Sequence, residues 1–118
     1  MNSVIEIKKT ALENNYRFIK SLVGDDVTVC AVVKGNAYGH GVEQVLPALQ
    51  SYGVDHFAVF SSAEALQCFR YLRDNVKLMI MGFVEHAHLR WIIENEIEFY
   101  VYSCEILNPH RYFSPNRL

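Results

Sequence analysis

The chain has 118 residues, 51% of them apolar and 20% charged, with 11 Lys+Arg against 13 Asp+Glu and a net charge of −2. Those proportions exclude a disordered or collagen-like chain, and the length gives one ordinary domain or part of a larger one. With no basic excess to neutralise a phosphate backbone, nucleic acid is not an expected partner.

At the N-terminus, Ser3 to Lys8 (SVIEIK) alternates apolar and polar residues, which predicts a half-buried strand. Polar residues interrupt Val4, Ile5 and Ile7, so there is no signal-peptide core, and no apolar run approaches the ~20 residues that cross a membrane. The expectation is a cytoplasmic chain with no membrane partner. Thr10-Ala11-Leu12-Glu13 has the form of a capping box, opening a helix whose Leu12, Tyr16, Ile19 and Val23 share one face and which stops at Gly24. Val27 to Val33 (VTVCAVV) is the near-continuous β-branched run of a strand buried on both faces.

Beyond the loop Gly35 to Gly41, helical spacing of Val42, Val45, Leu46 and Leu49 predicts a helix to Tyr52, kinked or delayed by Pro47. His56 to Phe60 is a short strand, followed by a second capping box, Ser61-Ser62-Ala63-Glu64, and a helix with Leu66, Phe69 and Leu72 inward. Val76 to Met81 reads as strand, Glu85 to Asn95 as helix and Ile97 to Tyr102 as a fifth strand, with Trp91 and Phe99 to Tyr102 assigned to the core. Cys30, Cys68 and Cys104 are odd in number and each sits in an apolar run, which predicts buried free thiols, with neither a disulfide frame nor a metal site.

The order βαβαβαβαβ with short connections predicts an α/β chain with a mainly parallel sheet. Pattern alone leaves two closures open, a doubly wound sheet or a segment of a (β/α)8 barrel. From Asn108 the regularity stops, so residues 1–107 are expected to form the domain and residues 108–118 an irregular tail.

Chemistry concentrates in CAVVKGNAYGHG, residues 30–41. Lys34 follows a buried strand at its carboxyl end, where α/β folds place ligands, and an apolar seat there would favour the neutral, nucleophilic amine. Gly35, Gly39 and Gly41 would let backbone N–H groups approach an anion, with the Tyr38 hydroxyl reaching the same anion. A lysine that bonds a carbonyl beside a phosphate site is what pyridoxal phosphate requires. His40 is expected to make a structural hydrogen bond and Glu43 to complement a helix dipole, and His86 and His88, two apart on a helix, face different ways and do not form a metal site.

AVVKGNAYGHG resembles the pyridoxal-phosphate attachment signature of the alanine racemase family. VIEI with ALENNYRFIK, AVFSSAEAL, LMIMG and FYVYS resemble the surrounding βα units, so the resemblance covers Val4 to Ser103. Gly35 departs from it, standing where the family more often has alanine.

The resemblance implies the N-terminal portion of a (β/α)8 barrel, a homodimeric enzyme and a small amino-acid substrate, alanine being favoured for interconversion of its L and D forms. It implies that Lys34 bonds the cofactor and serves as base on one face of Cα, that Tyr38 contacts the phosphate and that Met81 flanks the ring. The family's second base, a tyrosine, and the arginine that holds the ring nitrogen belong to parts of the family's sequence outside these 118 residues. The chain is therefore expected to be an inactive truncated form that self-associates, with a pyridoxal-phosphate-binding protein without turnover as the alternative.

Overall fold

The computed structural model describes residues 2–107. The tail expected at residues 108–118 lies outside the described residues.

The elements follow in the order α1 (Lys9–Val23), β1 (Ala31–Val32), α2 (Lys34–Tyr38), α3 (Val42–Ser51), β2 (His56–Val59), α4 (Ser62–Phe69), β3 (Lys77–Ile80), α5 (Leu89–Glu94) and β4 (Glu98–Phe99). A 3-10 turn, His86–His88, precedes α5, and another, Cys104–Leu107, follows β4. The strands form one sheet in sequential order β1-β2-β3-β4, with every neighbouring pair parallel. Each strand therefore returns to its neighbour through a helical crossover, and all carboxyl ends lie along one edge.

The register sets the depth of each side chain. Ala31 lies opposite Phe57 and Val32 opposite Ala58, while Phe57 pairs with Leu78, Ala58 with Met79 and Val59 with Ile80. As the most enclosed strand, β2 has Phe57, Ala58 and Val59 without solvent exposure. Phe57 and Val59 meet Leu46 and Val45 from α3, Ala65 and Cys68 from α4, and Ile92 from α5 in one apolar core.

Gln50 is buried inside this core but fully partnered: its amide donates to the Leu46 and Tyr71 carbonyls (3.1 and 2.8 Å), and its oxygen accepts Arg73 N–H at 2.8 Å. A buried amide with every role filled avoids a desolvation cost and clamps α3 to the turn after α4. Against the expected kink, α3 runs unbroken through Pro47. The carbonyl deprived of its helical donor is that of exposed Glu43 in the first turn, where water can replace the missing bond.

Several other expectations are corrected. Four strands form among the described residues, and the segment Ser3 to Lys8 is none of them, with Val4 79% and Ile5 65% exposed. Alternation makes a segment suitable for a sheet, but a strand exists only where an edge accepts its N–H and C=O groups. Thr10 does not cap α1: the helix begins two residues earlier than expected, at Lys9, with the Lys8 carbonyl accepting from the Ala11 and Leu12 amides.

VTVCAVV contributes only Ala31 and Val32 to β1, because β1 occupies one edge of the sheet. At the other edge, β4 is reduced to Glu98 and Phe99, and Tyr100, Val101 and Tyr102 are exposed rather than in the core. Trp91 does pack on the core, edge to face with Phe69 at 5.2 Å between ring centroids. Of the thiols, Cys68 is buried, Cys30 is half-buried and Cys104 is exposed, so burial holds for only one of them in full. Burial, with the nearby Glu64 charge as the lesser cause, pushes the Cys68 thiol up to about 11.

Candidate functional site

The carboxyl edge of the sheet carries the residues singled out by sequence. Lys34 follows β1, Phe60 and Ser61 follow β2, Met81 and Gly82 follow β3, and Tyr100 to Tyr102 follow β4. Continuing the β1–β2–β3 register puts Lys34, Phe60 and Met81 in one rank, so Met81 stands two strands, about 10 Å, from Lys34 along the backbone. Met81 is half-buried, and its carbonyl accepts the Tyr102 hydroxyl. At the neighbouring Gly82, a Cβ would meet the Phe60 carbonyl oxygen at 2.6 Å, so glycine allows β3 to pass that close to β2.

Between Lys34 and α3 the backbone does something unusual. Gly35, Asn36, Ala37, Tyr38 and Gly39 all have positive φ, from 56° to 85°, so α2 is a left-handed turn. For an ordinary L-residue this conformation costs about 1–2 kcal/mol, with asparagine among the more tolerant. The turn is held by its surroundings. Ala37 N–H donates to Val33 O at 2.9 Å, Gly39 N–H to Gly35 O at 3.0 Å and Gly41 N–H to Asn36 O at 2.9 Å. The Asn36 side chain accepts Val42 N–H at 3.0 Å, and the His40 ring lies 2.9 Å from Ala37 O through Nδ1, which must carry the proton because a carbonyl only accepts. The structural bond expected of His40 is therefore present.

Two further expectations for this loop are changed. The glycine N–H groups do not face outward to an anion: Gly35 N–H donates to Glu64 Oε1 at 2.9 Å, and those of Gly39 and Gly41 are used within the turn. Lys34 is exposed, so the described residues do not form the apolar seat expected around it. The reason is its position after the edge strand β1, with a neighbour on one side only. Gly35 itself adopts φ +60, where a glycine has least strain, and its amide is fixed.

The group available for chemistry is thus a primary amine and a phenol. Lys34 and Tyr38 are four residues apart on a helical turn, which puts them on the same side of it, and Tyr38 is 62% exposed. A primary amine and a hydroxyl donor on one side of a strained turn fit an aldehyde cofactor with an anionic arm.

Glu64 was legible only as the partner in a capping box. Ser61 does cap α4, accepting Glu64 N–H at 3.2 Å, but the Glu64 carboxylate serves Gly35 and Phe60 instead of returning to the Ser61 amide. Its two oxygens were the available signal, since a carboxylate with four lone-pair sites can join separate strands.

Beside α5, Ser62 Oγ lies 2.9 Å from His88 Nδ1 and accepts Glu85 N–H, and Glu85 Oε2 is 3.6 Å from the same Nδ1. A proton relay uses both ring nitrogens, so this trio is a brace between α4 and the following loop. Among the described residues no group of three or more His, Cys, Asp or Glu is arranged to hold a metal ion. No helix among them is long and apolar enough to cross a membrane.

Four sequential parallel strands joined by helical crossovers, with a lysine-bearing turn at the carboxyl edge, are the opening portion of a (β/α)8 barrel, present as an open sheet. Comparison with known proteins then narrows the class. The family described as "Alanine racemase, N-terminal domain" matches residues 7–113, and the chain belongs to that family. Alanine racemase 1 of Caldanaerobacter subterraneus subsp. tengcongensis is 37% identical over 104 residues, covering 86% of this chain and 26% of that protein. The alanine racemase of Methanococcus maripaludis is 38% identical over 106 residues, covering 87% of this chain and 27% of its own length.

Among solved structures, the Bacillus anthracis alanine racemase with bound L-Ala-P superposes with a TM-score of 0.79 at 28% identity, over 90% of this chain and 28% of that one. The Bartonella henselae alanine racemase with covalently bound pyridoxal phosphate gives 0.74 at 31% identity, over 86% and 28%. The chain thus spans about a quarter of the length of the relatives it matches.

Proposed function

We propose that this chain is the lysine-bearing part of a pyridoxal-phosphate-dependent alanine racemase, acting on a small amino acid in the cytoplasm. The observation that carries the reading is Lys34 at the carboxyl edge, followed by a left-handed turn that brings Tyr38 to its side, in a chain of this family. The Bartonella henselae relative has pyridoxal phosphate covalently bound, which supports the same cofactor here. Once bound, the cofactor withdraws electrons from Cα of an amino acid and so makes its hydrogen removable near neutral pH.

This chain's own part is to hold and to move a proton. Lys34 supplies the bonding amine and, when that amine is free, takes and returns a proton at Nζ on one face of Cα. The Tyr38 hydroxyl would donate to the cofactor's phosphate, and the half-buried Met81 would offer an apolar contact to its ring. In the whole enzyme two copies would assemble as a homodimer.

Inversion needs a second proton carrier on the opposite face, and the grouping of Lys34, Tyr38 and Met81 supplies one face only. Taken alone, these 118 residues are therefore read as exchanging without inverting. The test is deuterium incorporation at Cα of L-alanine with chiral analysis of the product, at saturating pyridoxal phosphate, beside Lys34→Ala. We expect slow exchange that disappears in the variant, and inversion no faster than with free cofactor. Exchange unchanged in the variant would remove Lys34 from the role of base, and rapid inversion would place the second face within this chain.

A further inference from the structure

We infer that Glu64 is a positioning residue for Lys34: through the Gly35 amide it anchors the start of the left-handed turn and so fixes where the Lys34 side chain leaves the sheet. The relevance to chemistry rests on the cofactor role proposed for Lys34, but the anchoring is a property of the chain itself.

The geometry shows a carboxylate divided between two strands. Glu64 Oε2 accepts Phe60 N–H at 2.7 Å, just beyond β2, and Oε1 accepts Gly35 N–H at 2.9 Å, just beyond Lys34. Bonds from neutral amides to an ionised acceptor are shorter and stronger than neutral pairs, and two of them from different directions fix the carboxylate. Helix capping does not account for either bond. The cap of α4 is the Ser61 hydroxyl accepting Glu64 N–H, which uses the backbone of Glu64 and leaves its side chain free for other partners.

Gly35 is the residue most in need of such an anchor. It is the first of the positive-φ residues, and nothing lies within 4 Å of where its Cβ would be, so side-chain packing does not hold it. The far end of the turn is pinned separately by Asn36 to Val42 N–H and by the His40 ring to Ala37 O. Glu64 holds the N–H of the peptide joining Lys34 to Gly35, and the orientation of that peptide sets the direction of the lysine stem.

The test uses the full 118-residue chain with Glu64→Ala, Glu64→Gln and, as a capping control, Ser61→Ala. Two quantities are read: hydrogen exchange at the Gly35 amide without any cofactor, and the preference of pyridoxal phosphate, trapped by borohydride, for Lys34 over the other lysines. Glu64→Ala is expected to speed Gly35 exchange and to reduce the Lys34 preference, each by about tenfold, the scale of one lost charged hydrogen bond. Glu64→Gln, whose oxygen can accept at one site while its NH2 opposes a donor at the other, should fall between. Ser61→Ala should lower the unfolding midpoint yet leave both readings as in the parent.

If Glu64→Ala folds poorly, Glu64→Gln against Ser61→Ala decides the matter. Equal Gly35 exchange in the parent and Glu64→Gln, or equal effects of Glu64→Gln and Ser61→Ala, would overturn the proposal. The two levels separate cleanly. Faster Gly35 exchange in a chain whose parent shows no Lys34 preference upholds the anchoring and sinks the cofactor role. A Lys34 preference that survives with Gly35 exchange unchanged does the reverse.

Discussion

Phe57→Ala is expected to lower stability by about 3–5 kcal/mol, the usual cost of truncating a buried phenylalanine. Phe57 has no solvent exposure and lies on β2, between Ala31 of β1 and Leu78 of β3, so its ring is enclosed by both neighbouring strands and the helices above them. Net stabilities of whole domains are about 5–15 kcal/mol, so a loss of this size consumes about a fifth or more of the total. Three residues further on, Phe60 is 52% exposed at the carboxyl edge, and Phe60→Ala should cost about 1 kcal/mol or less. Urea unfolding at one fixed protein concentration measures both. A midpoint fall of at least ~1 M for Phe57→Ala, with a slope of about 1–3 kcal/mol per M, is the expected result. Equal shifts for the two phenylalanines would contradict the placement of the core on β2.

The second large effect is on association. β1 and β4 are the two ends of an open parallel sheet, and each presents backbone donors and acceptors along its outer side. Beside β1, Ile7, Leu12, Tyr16, Ile19 and Val29 line an apolar groove of about 380 Å³. Val32, Phe18 and Leu22 add exposed apolar surface nearby, at 38%, 63% and 70%. Surfaces of this kind are covered in stable proteins, and an uncovered edge pairs with another chain. Light scattering over a hundredfold range of concentration is expected to show rising mass, with an unfolding midpoint that rises with concentration. A monomer with a midpoint independent of concentration would mean that the chain covers these edges by itself.

How much of this was legible in the sequence depends on how local the determining contacts are. The pattern of Val42, Val45, Leu46 and Leu49 fixed a helix face because a 3.6-residue period is a property of the segment alone, and those side chains are all buried. The Ser61 cap was readable for the same reason. Strand extent was not: VTVCAVV has the composition of a long buried strand but only Ala31 and Val32 pair, since pairing depends on a partner on each side. SVIEIK lacked even one. At the site, Lys34 and its glycine loop could be seen, whereas the left-handed run through Asn36, Ala37 and Tyr38 goes against the preferences of Ala37 and Tyr38 and is imposed by bonds to Val33, Val42 and Glu64. Glu64 reaches Gly35 across 29 positions of sequence, a distance that no local motif encodes.

If Lys34 captures the cofactor, incubating the chain with pyridoxal phosphate, reducing with borohydride and mapping the labelled peptides will show it. Chemically, several amines compete: Lys8, Lys9 and Lys77 are exposed, as Lys34 is, whereas the Lys20 amine donates to the Val27 carbonyl at 2.7 Å. Exposure alone would therefore spread the label. One peptide, containing Lys34, is expected to dominate at substoichiometric cofactor, and Lys34→Ala to remove this selectivity, leaving slow labelling elsewhere. Label distributed evenly over Lys8, Lys9, Lys34 and Lys77, unchanged in pattern by Lys34→Ala at the remaining sites, would contradict it.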